Sequence, residues 1–185
     1  MKEYIILAGV NGAGKSTYFS LDSRFMKYEK INLDDIVREM GDWRDTTNVV
    51  NAGKIVISRM NHYYSDGISF SQETTLCGKS ILRNIDKAKQ LGYLVEMHYV
   101  GVDSVDIAKA RVANRVAKGG HGIAEADIER RYIESFENLK LVLSKCDLVS
   151  LYDNTDSFRR IAIYKKGKQV RVSSRVPEWF RKLNI

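Results

Sequence analysis

The sequence predicts an α/β fold in which a mainly parallel sheet is flanked by helices. Three observations predict it. Strand-like apolar runs alternate with segments of helical period along most of the chain. A glycine-rich turn, Gly9-Val10-Asn11-Gly12-Ala13-Gly14, joins the first strand to the first helix. Tyr93 to Val102 is dense in aromatic and branched residues and reads as a buried strand.

Taken in order, Lys2 to Ala8 reads as a strand and Lys15 to Leu21 as the helix beyond the glycine turn. A short strand at Glu29 to Leu33 precedes a helix from Asp35 to Met40, and Ala52 to Tyr64 repeats apolar residues three and four apart. Gly67 to Gln72 reads as a third strand, and Ser80 to Leu91 as a helix stopped by Gly92. After the buried strand come helices at Val105 to Ala117 and Glu125 to Ser144. The latter carries the stripe Ile128, Tyr132, Phe136, Leu139 and Leu143. Leu148 to Tyr152 is a strand, and Arg160 to Val172 a hairpin turning at Lys166-Gly167-Lys168. Pro177 opens a short closing helix as its first residue.

A chain of 185 residues fits one domain with a full core. With 44% apolar and 29% charged residues it matches neither a disordered nor a fibrous chain. The early apolar run, Ile5 to Val10, is too short to span a membrane and lacks a signal-peptide pattern. Cys77 and Cys146 lack CxxC spacing, and His62, His98 and His121 fit no metal-binding spacing. A reducing, cytoplasmic setting with no membrane partner is the expectation. The net charge of +7 is uneven: from Phe158 onward the chain carries +8 and the remainder −1. The basic hairpin and helix at 158–185 read as a solvated surface or as a contact for an acidic partner or polynucleotide.

Gly9 to Ser16 fills the pattern GxxxxGK[ST], with a strand before it and a helix after it. Glycines at 9, 12 and 14 let successive N–H groups curl around phosphate oxygens, and the helix start adds its positive end. Gly9, Asn11, Gly12, Ala13, Gly14, Lys15, Ser16 and Thr17 are therefore the expected nucleotide contacts. Lys15 reaches the outer phosphates, and Ser16 ligates Mg²⁺. The sheet becomes one of P-loop NTPase type, with a C-terminal β-hairpin and short helix.

Ligands of open α/β sheets gather at the carboxyl ends of the strands. Asn32, Asp34 and Asp35 follow the second predicted strand, and Glu73, Thr74 and Thr75 the third. A carboxylate there can take a proton from a hydroxyl acceptor; equally, Asp34 can cap the helix at Asp35. Arg111 and Arg115 share a helix face, and Arg130-Arg131 lie beyond Lys118-Gly119-Gly120-His121-Gly122. That segment, about 105–131, has the makings of a helical lid over phosphates, though arginines on such faces are often only solvated. His121 reads as a turn or lid residue.

Together GVNGAGKST (9–17), INLDDI (31–36), ETTLCG (73–78), GYLVEMHYVGVDS (92–104), RVANRVAKGGHGIAEADIERRY (111–132) and LYDN (151–154) resemble the zeta toxin family of P-loop kinases. The resemblance implies ATP- and Mg²⁺-dependent phosphorylation of a small-molecule hydroxyl. For the toxin members this is the 3′-hydroxyl of the amino sugar in UDP-N-acetylglucosamine. It implies Asp34 as general base, Lys15 and Ser16 as phosphate and magnesium contacts, and Glu73 and Thr75 as substrate contacts, with Asn32 beside them. It further implies Arg115 and one of Arg130 or Arg131, the choice between those two left open, as phosphate-binding cations, and a small helical antitoxin as a partner. Leu33 and Cys77 depart from the common pattern beside the acceptor site. Two other readings stay open: a polynucleotide or tRNA kinase, suggested by the basic C-terminal segment, and an ATP-dependent switch that transfers nothing.

Overall fold

A computed structural model describes residues 1–42, 44–120 and 122–185. The strands are β1 (Glu3–Ala8), β2 (Glu29–Asn32), β3 (Phe70–Thr74), β4 (Leu94–Gly101), β5 (Leu148–Asp153), β6 (Arg159–Lys165) and β7 (Lys168–Val172). The helices are α1 (Lys15–Leu21), α2 (Leu33–Met40), α3 (Thr46–Asp66), α4 (Ser80–Gln90), α5 (Val105–Ala117), α6 (Glu125–Val142) and α7 (Glu178–Leu183). A single 3-10 turn, Ser23–Lys27, lies between α1 and β2.

The strands form one sheet in the order β2-β3-β1-β4-β5-β6-β7. The first five are parallel, and β6 and β7 add antiparallel pairs. β1 lies inside the sheet and reads as an unbroken apolar run because helices cover both of its faces. Tyr4, Ile6 and Ala8 join the core made with α3, α4, α6 and α7. Ile5 and Leu7 face the other core, where Tyr18 of α1, Phe25, and Ala108 and Val112 of α5 pack.

The second face carries a polar inclusion. Glu96 and His98 of β4 are buried, and His98 Nε2 lies 2.7 Å from Glu96 Oε1. Tyr18 Oη approaches His98 Nδ1 at 2.7 Å and donates to Tyr152 Oη at 3.0 Å. Arg24 of the 3-10 turn reaches Glu96 at 3.1 Å, so the buried carboxylate has a cationic partner. His98, one of three scattered histidines in the sequence, thus joins α1 to the sheet.

Several boundaries differ from the sequence expectation. Gly67 is not a strand residue: it ends α3 with φ 65°, and β3 begins only at Phe70. α3 starts six residues earlier than its apolar repeat suggests, because Asp45 accepts the Thr47 amide and caps it at Thr46. Pro177 is the residue before α7 rather than its first residue. The hairpin turn is as expected, with Lys166 and Gly167 both at positive φ. No helix among the described residues is long and apolar enough to cross a membrane.

Candidate active site

Parallel register brings three strand ends to one edge. Ala8 pairs with Thr74 and Asn32 with Glu73, so the glycine turn after β1 leaves the sheet beside both. Gly9 has φ 143°, and a Cβ there would stand 2.3 Å from the Val100 carbonyl oxygen of β4. Only glycine lets the turn lie this close to the neighbouring strand. Gly14, at φ 98°, caps α1 and leads into its first turn, where Ser16 and Thr17 are exposed and Lys15 is buried. Ala13 closes the turn by donating its amide to the Val10 carbonyl at 3.2 Å.

The Lys15 ammonium donates to the carbonyls of Gly9 at 2.8 Å and Val10 at 3.2 Å. Burial lowers its pKa; the negative charges of Glu73 and Asp34 act against that shift, and Arg115 adds to it. Lys15, Asp34, Glu73 and Arg115 therefore lie within one electrostatic neighbourhood.

On the β2–β3 side, Asn32 accepts the Asp34 amide at 3.0 Å and donates to Glu73 at 3.1 Å. Asn32, not Asp34, caps α2, and Asp34 is the second residue of the helix. The capping alternative for Asp34 is thereby excluded. Lys30 links Asp35 at 3.0 Å and Glu73 at 3.6 Å. Glu73 and Thr74 belong to β3 itself rather than to the loop beyond it, because pairing with β1 carries the strand to Thr74. Thr75 follows, half-buried, in the loop to α4.

The paired arginines separate. Arg131 donates to the Asn11 side chain in the glycine turn at 3.1 Å. Arg130 faces outward and pairs with Asp127 at 2.8 Å and Glu134 at 3.0 Å. Arg115 lines a cavity of about 400 Å³ with Arg111, Asn114, Lys118 and Gly120. Arg111 donates to the Thr155 carbonyl at 3.0 Å, while its Nη1 is buried without a hydrogen-bond partner. His121 lies outside the described residues.

Three residues that were not among the expected contacts hold the loops of the site. Cys77 donates its thiol to the Arg131 carbonyl at 3.3 Å, and burial raises its pKa. Asn138 of α6 donates to the carbonyls of Leu76 and Gly78 at 2.8 and 3.0 Å, fixing the loop after β3. Asn154, just past β5, donates to Ala13 in the glycine turn at 2.8 Å. LYDN is the sequence signal for Asn154. For Asn138 the signal is a polar residue two turns beyond Arg131 on a half-apolar helix.

No protein-family profile matches the chain. An uncharacterized protein of Haemophilus influenzae is 34% identical over 128 residues, which are 69% of this chain and 91% of that protein. Among solved structures, that of AvrRxo1-ORF1:AvrRxo1-ORF2 with sulphate ions superposes with a TM-score of 0.74 at 14% identity over 99% of this chain. The chain spans 63% of the length of that neighbour, whose complex is also known with ATP. The PezAT chromosomal toxin-antitoxin system of Streptococcus pneumoniae superposes with a TM-score of 0.63 at 14% identity, covering all of this chain and 83% of that one. The fold is accordingly one that the chain shares with these structures.

Proposed function

The chain belongs to the family of its Haemophilus influenzae relative, and from the geometry of its site we propose that it is a zeta toxin-like kinase. In this reading it transfers the terminal phosphoryl group of ATP to a hydroxyl of a small molecule. The observation that carries the proposal is the common edge: the P-loop lysine, Lys15, senses the carboxylates of Asp34 and Glu73, which stand past or at the ends of neighbouring strands.

In this reading the amides of residues 9–16 hold the triphosphate, with Asn11, Gly12 and Ala13 forming the wall of the turn and Thr17 contacting the innermost phosphate. Lys15 exchanges its two carbonyl contacts for phosphate oxygens. Asp34, freed from capping, accepts the proton of the acceptor hydroxyl. Asn32, Glu73 and Thr75 orient the acceptor, and the carboxylate-rich edge suits a polyhydroxylated sugar such as the amino sugar of UDP-N-acetylglucosamine. Arg115 and Arg131 stabilise charge on the moving phosphoryl group as the α5–α6 segment closes as a lid.

The site also fits magnesium. Ser16 offers an exposed hydroxyl at the start of α1, beside the buried Lys15. One protein oxygen completed by phosphates and water is the donor set a hard cation takes in phosphoryl-transfer sites. Bound there, Mg²⁺ would neutralise charge developing on the phosphate oxygens. An antitoxin partner belongs to the same reading, since the structural neighbour PezAT is a toxin-antitoxin system.

The test is incubation with ATP-Mg²⁺ and a panel of nucleotide sugars, read as ADP formation and sugar phosphate by mass spectrometry. ADP coupled to a phosphorylated sugar is the expected result. Phosphorylation of RNA ends in place of any sugar would overturn the small-molecule assignment. ATP binding with no product on any acceptor would overturn transfer altogether.

A further inference from the structure

Resting on the reading of residues 9–16 as a phosphate cradle, we infer that Asn154 is a positioning residue that sets the cradle's Gly14 amide before any nucleotide arrives. Asn154 Nδ2 donates to the Ala13 carbonyl oxygen at 2.8 Å. The Ala13–Gly14 peptide is trans, as is every peptide bond described, so its N–H points opposite to its C=O. Fixing the carbonyl toward Asn154 turns the Gly14 N–H to the other side of the turn. There it makes no hydrogen bond among the described residues. An amide held outward and unpartnered at the head of a helix is a donor waiting for an anion.

The contact leaves little freedom. A Cβ at residue 14 would stand 2.3 Å from Asn154 Nδ2, so the amide rests directly on Gly14. Asn154 is itself anchored, its backbone N–H donating to the Gly101 carbonyl at 2.9 Å. Its neighbours are tied down as well. The buried Asp153 carboxylate accepts from Thr155 Oγ1 at 2.7 Å and from Trp179 Nε1 at 3.1 Å, and the Trp179 amide donates to Asp103 at 2.8 Å. The C-terminal helix α7 thus braces the loop that orients the turn, and the next carbonyl of that loop, Thr155, holds Arg111. One short segment past β5 therefore sets both the anion cradle and a cation beside it.

The experiment measures binding of ATP and of inorganic tripolyphosphate, which lacks a base, to the full chain and to Asn154→Ala and Asn154→Asp. The inference predicts that Asn154→Ala weakens both ligands by the same factor, roughly ten- to hundredfold, because the damage lies in the cradle. Asn154→Asp removes the donor and adds an anion, so its loss is larger. In the wild-type protein the Gly14 amide proton resonance should move downfield on adding tripolyphosphate. A folded Asn154→Ala protein that binds tripolyphosphate within about twofold of wild type would overturn the inference, as would an unmoved Gly14 resonance at saturation, a readout that needs no variant. A wild-type protein that binds neither ligand would instead defeat the nucleotide reading on which the inference rests.

Discussion

The side chain of Asn32 accepts the backbone amide of Asp34 at 3.0 Å, and no hydrogen bond reaches the Asp34 carboxylate among the described residues. Asn32 therefore does the helix capping, and the Asp34 side chain takes no part in it. Asp34→Asn should lower phosphoryl transfer by about 10²–10⁴-fold while ATP affinity stays within about twofold. Asn32→Ala should cost about 1 kcal/mol of stability, read as a lowered urea midpoint. Steady-state kinetics and calorimetry on the two variants separate the roles. Normal transfer by Asp34→Asn would remove Asp34 as the base.

Arg130 and Arg131 are adjacent in sequence and opposite in environment. Arg131 touches Asn11 of the glycine turn, whereas the exposed Arg130 pairs with Asp127 and Glu134. Arg131→Ala should reduce kcat by roughly a hundredfold or more. Arg130→Ala, which loses only surface ion pairs, should leave kcat nearly unchanged and stability lower by less than about 1 kcal/mol. Equal kinetic losses in the two variants would show that the contact with Asn11 does not set Arg131 apart from Arg130.

Asp22 caps the 3-10 turn, and hydrogen bonds from Arg24 hold its carboxyl down to about 2, below its unfolded value of 3.8. A depressed carboxyl stabilises the fold fully above its unfolded pKa and loses that contribution as pH falls toward its folded one. The stability gap between wild type and Asp22→Asn should thus be constant near neutrality, narrow below about pH 4, and close near pH 2. Urea titrations across that range measure it. A gap that does not change with pH would mean the Arg24 contact is not electrostatic.

The basic hairpin stands at the far end of the sheet from Glu73 and Asp34. Five strand steps separate β3 from β7, about 24 Å. Lys165, Lys168 and Arg171 are exposed and in no ion pair among the described residues. Reversing all three to Glu should leave small-molecule phosphorylation within about twofold. A polynucleotide kinase using this surface would instead lose binding steeply, with a weaker salt dependence in what remained. Filter-binding with RNA at two salt concentrations distinguishes the cases.

Much of this arrangement was legible in the residues themselves. α1 and α5 fall at the expected positions: the glycine turn marks the start of α1, and in the structure Ser104 accepts the Ile107 amide and caps α5. The P-loop was readable because its backbone geometry demands glycine at particular places. Position shifted where local signals compete. Thr46 to Val50 are poor helix formers, so α3 looked shorter than its Asp45 cap makes it. The 3-10 turn at Ser23–Lys27 is too short to leave a period. The choice between Arg130 and Arg131 could not be read, since which side of α6 meets the turn depends on tertiary packing. Asn138 and Asn154 act through side-chain amide hydrogen bonds to distant carbonyls, and although the sequence marks both positions, spacing does not show which carbonyls they meet.

A crystal structure of the protein with a non-hydrolysable ATP analogue and Mg²⁺ addresses the central claim most directly. The terminal phosphate should lie against Lys15 and point toward the Asp34 carboxylate across the β1–β3 edge, with Arg131 released from Asn11 onto it. A terminal phosphate directed toward the β5 side, away from Asp34, or a glycine turn left empty at saturating analogue, would contradict it.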